Sequence, residues 1–461
     1  MYGATKTDVE DWAFASAGQM AKAIKSRSVS SRELTEAYLS RIVEHNSSLN
    51  AVVTVNEEEV LARASEADES VAQGAIWGPL HGVPFTLEDC HKTQGVRSTW
   101  GGLPSLADFI PDCDGSAALS LKATGAILIG KTHGPTVWED ESIFPRTNNP
   151  WDAKRSPGGS SSGPACAVAA GLTAFDVGLD STGSIQEPAH LCGIFGMRPT
   201  EHRVSLADVF FLDPIRKFHV LTVPGPMARS VEDLRLILEI IQGPDGADSE
   251  VPPVPWSDAL PVELGDLRVA TLPASAGIEV QEEIGTALDA LTEELGARGA
   301  QVTPCLPDVD LGDHVRLGDE LFDSIARAFE SEEPYESPIR KEDNPPSTLD
   351  TYLRHLDRRD SLFAKWDNFF SEWDVLLLAA GPTTAWLHPS EDTPAPDDPD
   401  LNAVLSPVTG CPAIMLPLGV DNQGLPFGVE LMGRRWGDER LLDIAASVVA
   451  LTDGFRRPAA L

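Results

Sequence analysis

The chain has 461 residues, 42% of them hydrophobic and 23% charged. That is the balance of an ordinary water-soluble globular protein with enough length for a large buried core. Seventy-one acidic side chains against 35 basic ones leave a formal charge of −36, a field that repels a phosphate backbone and argues against nucleic acid as a partner. No run of 18 apolar residues is present, so no membrane span is expected, and the polar opening MYGATKTDVEDW lacks the layout of a secretory signal, which points to a cytoplasmic protein.

The first helix is signalled by Ser30 three residues ahead of Glu33, a capping-box spacing, with Leu34, Tyr38 and Ile42 on one face. Residues 51–55 read as a short buried strand, 61–72 as an acidic helix, 83–87 as a strand after a Gly-Val-Pro turn, and 126–130 as a further apolar strand. This alternation is that of an α/β layered sheet. Residues 164–172 (PACAVAAGL) are small and apolar, suited to a helix packed tightly on a sheet, and 174–177 follow as a strand. The stretch 243–262 is rich in Pro, Asp and Gly and reads as a surface loop; 267–272 resumes a strand, 279–295 is an amphipathic helix, and 392–400 is a second Pro/Asp-rich interruption. The six cysteines, at 90, 113, 166, 192, 305 and 411, show no CxxC pair or metal-ligand rhythm and read as buried thiols.

Two serine loops stand out at the ends of these elements, where open α/β sheets gather their active sites. One is Gly158-Gly159-Ser160-Ser161-Ser162-Gly163; the other is Asp180-Ser181-Thr182-Gly183-Ser184-Ile185. Taken alone, such stretches are usually turns. Together with 80–89 (LHGVPFTLED), 147–162 (TNNPWDAKRSPGGSSS), 192–200 (CGIFGMRPT), 224–234 (PGPMARSVEDL) and 412–433, they make the chain resemble the amidase signature family over nearly its whole length. The resemblance implies one α/β domain over residues 1–461, built on a single large mixed β-sheet flanked by helices. It also implies a serine nucleophile at Ser184, a relay serine beside a cis peptide at Ser160, and an oxyanion site at the backbone N–H groups of Ser181, Thr182, Gly183 and Ser184.

The third catalytic position of that family is a lysine, and here it is Glu88. An ordinary glutamate, with a pKa of about 4.3, is ionised at neutral pH and able to take a proton, although its arm is shorter than that of lysine. Thr182 and Gln186 also depart from the family pattern, which has glycine and arginine at these positions. A β-branched Thr182 is expected to restrict the backbone of the oxyanion loop, and Gln186 removes a charge that commonly organises it.

Three readings follow. In the first, the chain is an amidase-like hydrolase of C–N bonds using Ser184, Ser160 and Glu88. In the second, Glu88 serves as acid/base for cyclisation, elimination or isomerisation without an acyl-enzyme. In the third, the pocket only binds a small molecule. A small-molecule substrate is expected in each case, with no nucleic acid, no membrane and no cofactor; a homodimer is the one assembly kept open. His91, Glu187 and His190 could in principle hold a metal, but none is expected, because such residues more often line a pocket. Lys92 is expected to face solvent and His81 to be structural. Trp138, Phe144, Phe210, Phe211 and His219 are candidates to line the substrate pocket.

Overall fold

The computed structural model of the protein describes residues 12–135, 142–207, 209, 220–273, 276, 279–330, 347–389, 401–459 and 461. Its N-terminal helices follow from their caps. Helices α1 (Ala17–Ser26) and α2 (Ser31–Leu49) each begin with a capping box, Ser16 with Gln19 and Ser30 with Glu33. In each, the serine hydroxyl accepts one free amide of the first turn and the partner side chain accepts the cap's own N–H. The expected stripe Leu34, Tyr38 and Ile42 is buried. Helix α3 (Glu57–Ala72) starts earlier than the apolar pattern indicates, because Glu57, Glu58 and Glu59 place negative charge on its first turn, where the helix dipole favours it.

Strands β1 (Val52–Val55), β2 (Pro84–Glu88) and β3 (Ile127–Thr132) form a three-stranded sheet in the order β1-β3-β2. The large sheet contains β4 (Asp176–Asp180), β5 (Phe195–Arg198), β6 (Val223–Ala228), β7 (Arg268–Thr271), β8 (Gln301–Pro304), β9 (Val375–Ala379), β10 (Ala413–Val420) and β11 (Pro426–Met432), in the order β4-β6-β5-β10-β11-β9-β7-β8. It is mixed: β7 runs parallel to β8 and β9, while β4, β5, β6, β10 and β11 pair antiparallel. The protein thus has the α/β fold expected of it, a large mixed sheet flanked by helices.

The small sheet meets the large one at β2 and β4. The Thr86 N–H donates to the Phe175 carbonyl at 3.3 Å, and the rings of Phe85 and Phe175 stack at 5.1 Å. Both rings are buried, worth roughly 2–3 kcal/mol each. Helix α4 (Ser116–Ala123) precedes β3, and α5 (Ser162–Ala169) is buried at every residue. Its small side chains allow this. A Cβ added at Gly163 would stand 2.3 Å from the His133 amide nitrogen, so only glycine lets the helix start this close to the strand end. The reading of all six cysteines as buried holds for Cys90, Cys166, Cys192 and Cys411; Cys113 is exposed and Cys305 half-buried.

Candidate functional site

Three segments converge where the two sheets meet. Glu88 ends β2 and lies opposite Thr132 of β3. Strand alternation puts Thr86 and Glu88 on one face, and that face is polar and dry. The hydroxyls of Thr86 and Thr132 both donate to Asp176 Oδ2, at 2.5 and 3.0 Å. Glu88 is fully buried. Its Oε2 accepts a hydrogen bond from the Ser161 hydroxyl at 2.9 Å, while Oε1 has no hydrogen-bond partner among the described residues. Oε1 instead rests against Gly134, where an added Cβ would come within 2.3 Å of it.

This setting works against the ionised form of Glu88 that an ordinary pKa implies. Burial raises its pKa well above the ordinary carboxyl value, the Ser161 hydrogen bond offsets part of that, and the Asp176 carboxylate raises it further. Burial likewise pushes Asp176 up to about 7 and Asp89 up to about 6. The cation among them is Lys131, also buried, whose Nζ donates to the His91 carbonyl at 2.5 Å and the Thr93 hydroxyl at 3.1 Å. One ammonium, its own pKa lowered by burial, faces three buried carboxyl groups, an imbalance that favours protonation among them.

The serine loop runs from Gly158 into α5, and the Gly159–Ser160 peptide is cis. The hydroxyl that reaches Glu88 belongs to Ser161, one residue beyond the expected relay position. Ser161 Oγ also lies 3.3 Å from both the carbonyl and the N–H of Leu179. Two contacts stitch this loop to the second one: the Ser161 N–H donates to the Ser184 carbonyl at 3.1 Å, and the Gly159 N–H donates to Glu187 Oε2 at 2.7 Å. Burial raises Glu187 to about 7, and its bond from Gly159 pulls the other way. Ser160 and Ser184 are both half-buried.

The second loop leaves β4 at Asp180 and enters α6 (Gln186–Cys192). Asp180 organises it by accepting the N–H groups of Gly183 at 3.1 Å and Ile185 at 2.8 Å. The positive φ of the turn, +101°, falls on Gly183. Thr182 is not among the residues with positive φ. The Ser181 hydroxyl is 2.7 Å from that of Thr222. Arg198, wholly buried, pairs with Asp180 at 2.8 Å.

The structure thus brings Glu88, Ser160, Ser184, Ser181, Thr182 and Gly183 to one locus. It adds Ser161, Asp176, Lys131, Asp180 and Arg198, which the sequence reading does not single out. A signal existed for the charged ones: Asp176 and Asp180 bound β4, Arg198 closes β5 and Lys131 stands near the end of β3, and a charge in an apolar strand requires a partner. Ser161 carried no comparable mark, since its role depends on which segments lie side by side.

His190 is committed on both ring nitrogens, Nε2 to the Thr383 carbonyl and Nδ1 from the Gly428 N–H, each at 2.9 Å. Burial lowers it to about 4, which fits a neutral structural imidazole. Among the described residues no group of three or more His, Cys, Asp or Glu side chains gathers as a metal site, and no helix is long and apolar enough to cross a membrane. His81 is structural as expected, bridging the Trp77 N–H and the Ala67 carbonyl. Lys92 is half-buried. Phe144 packs edge-on against His133 at 5.7 Å, whereas Trp138, Phe210, Phe211 and His219 lie outside the described residues, as does the stretch 392–400.

Residues 33–442 match the family described as amidase. A glutamyl-tRNA(Gln) amidotransferase subunit of Synechococcus sp. (strain CC9605) is 32% identical, with 92% of this chain and 93% of that protein covered. The same subunit from Thioalkalivibrio sulfidiphilus is 33% identical over 95% and 97%. A structure from a vestigial protein complex, described as revealing the origins of an s-triazine catabolic enzyme, superposes with a TM-score of 0.84 at 25% identity, covering 96% of this chain and 100% of that one. Fatty acid amide hydrolase shares the fold, with a TM-score of 0.84 at 24% identity over 98% and 87%.

These relatives correct the expectation about partners. Proteins this similar are named as one subunit of an enzyme and tied to a tRNA, which overturns the picture of a lone chain with a small-molecule substrate, at most a homodimer, and no nucleic acid. Net charge is a poor guide here because it describes the average surface field and cannot say what a local patch or another subunit holds. On the match across residues 33–442 and the identity over nine-tenths of its length, the chain belongs to the amidase family.

Proposed function

We propose that the protein cleaves or transfers the acyl group of an amide, with Ser184 as nucleophile, Ser160 as the group that carries its proton, and the N–H groups of residues 181–184 facing the oxyanion. The observation that carries this reading is the stitching of the two serine loops, Ser161 N–H to the Ser184 carbonyl and Gly159 N–H to Glu187, which holds both hydroxyl-bearing residues at one place. Ser184 Oγ adds to the amide carbonyl, its proton passes through the Ser160 hydroxyl to the leaving nitrogen, the C–N bond breaks, and water or an amine takes the acyl group from the serine.

Glu88 has a different part in this scheme from the family's lysine. As a neutral acid it needs no counter-charge and holds the Ser161 hydroxyl, and with it the start of α5, while the proton travels between the serines and the leaving group. The reading includes a cytoplasmic location. It is tested by ammonia or amine release from a panel of carboxamides: the wild type turns over and Ser184→Ala does not. Absence of turnover by the wild type across the panel, or full turnover by Ser184→Ala, removes it.

A second reading is favoured by one observation, the complete burial of Glu88, which together with Asp176 raises its pKa. A carboxylic acid poised beside a substrate can donate its proton in an elimination or isomerisation without any acyl-enzyme. In that case Glu88→Gln abolishes turnover and Ser184→Ala leaves most of it.

A further inference from the structure

Asp180 accepts the two amides that flank Ser184, those of Gly183 and Ile185, so whatever fixes Asp180 fixes the nucleophile loop. Arg198 does this from the adjacent part of the sheet. Its Nη1 donates to Asp180 Oδ1 at 2.8 Å and to the Asp180 carbonyl at 2.9 Å, and its Nη2 donates to the Leu221 carbonyl at 2.6 Å. Behind it, Glu201 Oε2 lies 3.9 Å from Arg198 Nη2 and accepts the Leu221 N–H at 2.8 Å. Arg359 grips Glu201 with both Nη groups, at 2.8 and 2.5 Å, and donates onward to the carbonyls of Pro407 and Val408.

The chain of contacts then returns to its origin. Next to Pro407, the Ser406 hydroxyl donates to Gln186 Oε1 at 3.1 Å, and Gln186 Nε2 faces Asp180 at 3.3 and 3.5 Å. The four charged members, Asp180, Arg198, Glu201 and Arg359, are each at most 5% exposed. Two are negative and two positive, the balance a dry interior requires. Position 186, where the family pattern has an arginine, carries a neutral amide whose two ends match the groups they meet, N–H toward the carboxylate and carbonyl toward the serine.

We propose that Arg198 is the positioning residue of the nucleophile loop, supplying through Asp180 the positive charge that position 186 does not carry and thereby fixing the amides on either side of Ser184. Arginine suits the place because its planar fork spans Asp180 and Leu221 together, which a lysine ammonium cannot do at this distance. The kinetic part of this proposal rests on the Ser184 reading; the structural part does not.

The test compares Arg198→Met, Arg198→Lys and the double variant Arg198→Met/Gln186→Arg, using hydrogen–deuterium exchange of the peptide covering 181–186 and the rate of Ser184 labelling by a fluorophosphonate. Arg198→Met is expected to speed exchange in that peptide by about tenfold and slow labelling by roughly 100-fold, the scale of a small misplacement of reacting groups. Restoring an arginine at position 186 recovers a large part of both, and Arg198→Lys lies between. Wild-type exchange in a folded Arg198→Met protein overturns the proposal, as does a folded double variant with no recovery in either readout. If Arg198→Met does not fold, Arg198→Lys with and without Gln186→Arg decides in the same way. A wild type that takes no label while its exchange responds as stated removes the Ser184 reading and leaves the loop assignment standing.

Discussion

Glu88→Gln isolates the protonation of the residue that stands where the family has its lysine. Glutamine keeps an oxygen to accept the Ser161 hydroxyl at 2.9 Å. Its amide group takes the place of Oε1, which already lacks a hydrogen-bond partner among the described residues, so one unpartnered polar group replaces another. Near pH 4, below the ordinary glutamate pKa of about 4.3, the carboxyl is mostly protonated in both states and the two proteins should differ by no more than about 1 kcal/mol. As pH rises, the unfolded glutamate ionises near its ordinary pKa while the folded one, raised by burial and by Asp176, keeps its proton. A group raised in this way contributes stability that is complete below its unfolded pKa and is lost as pH climbs toward the folded one. The wild type therefore loses up to about 1.4 kcal/mol per pH unit that Glu88→Gln does not. Between the unfolded and folded pKa the variant should gain on the wild type at up to that slope. Urea midpoints of both proteins at pH 4, 5, 6 and 7 measure this, the difference reporting Glu88 together with its coupling to Asp176. Parallel curves would mean that Glu88 is ionised in the fold and would refute the assignment of a neutral acid.

Other outcomes follow from the same geometry. Glu187, raised to about 7, holds the Gly159 N–H more strongly once ionised, so the labelling rate of Ser184 should climb from pH 6 to 8 in the wild type and flatten over that range in Glu187→Gln; an unchanged profile in the variant removes Glu187 from the loop's function. Gly134→Ala would set a Cβ 2.3 Å from Glu88 Oε1 and 2.9 Å from the Ser160 carbonyl, and should cost about 1–3 kcal/mol of stability together with a loss of labelling, whereas a neutral effect in thermal and labelling assays would mean the Glu88 side chain has room to move. Asp233 accepts the Ala17 and Gly18 amides at the start of α1, at 2.7 and 3.0 Å; Asp233→Ala should lower stability by about 1–2 kcal/mol with no change in labelling rate, and a stability equal to wild type would show that the capping contact contributes nothing.

Much of this fold was legible because local signals and burial agree. Ser30 with Glu33 capped a helix as its spacing indicates, and the small residues of 162–169 packed where their size allows. The long helix Leu349–Glu372 was missed, since its flanks carry no resemblance to guide the eye and Leu349 and Leu353 in its first turns face outward. At the site, the sequence located Glu88, Ser160 and Ser184 by motif, yet it misjudged the neighbourhood of Glu88 for a physical reason. It treated Glu88 with a solution pKa, when the carboxyl sits in a dry junction of two sheets beside Asp176. The positive φ of the oxyanion loop falls on Gly183 and not on Thr182, a backbone detail that side-chain type alone does not reveal. The contacts that Lys131, Asp176, Arg198 and Glu201 make became visible only through strand order and the return of distant helices, which no single-chain pattern encodes.

Every mechanistic step above depends on Ser184 being the nucleophile of an amide-directed acyl transfer. Treating the wild-type protein with a fluorophosphonate and mapping the adduct by peptide mass spectrometry tests this most directly. One phosphonyl group on Ser184, absent from Ser184→Ala, is the predicted result. A folded wild type that takes no label, or takes it at another residue with Ser184 unmodified, contradicts the claim.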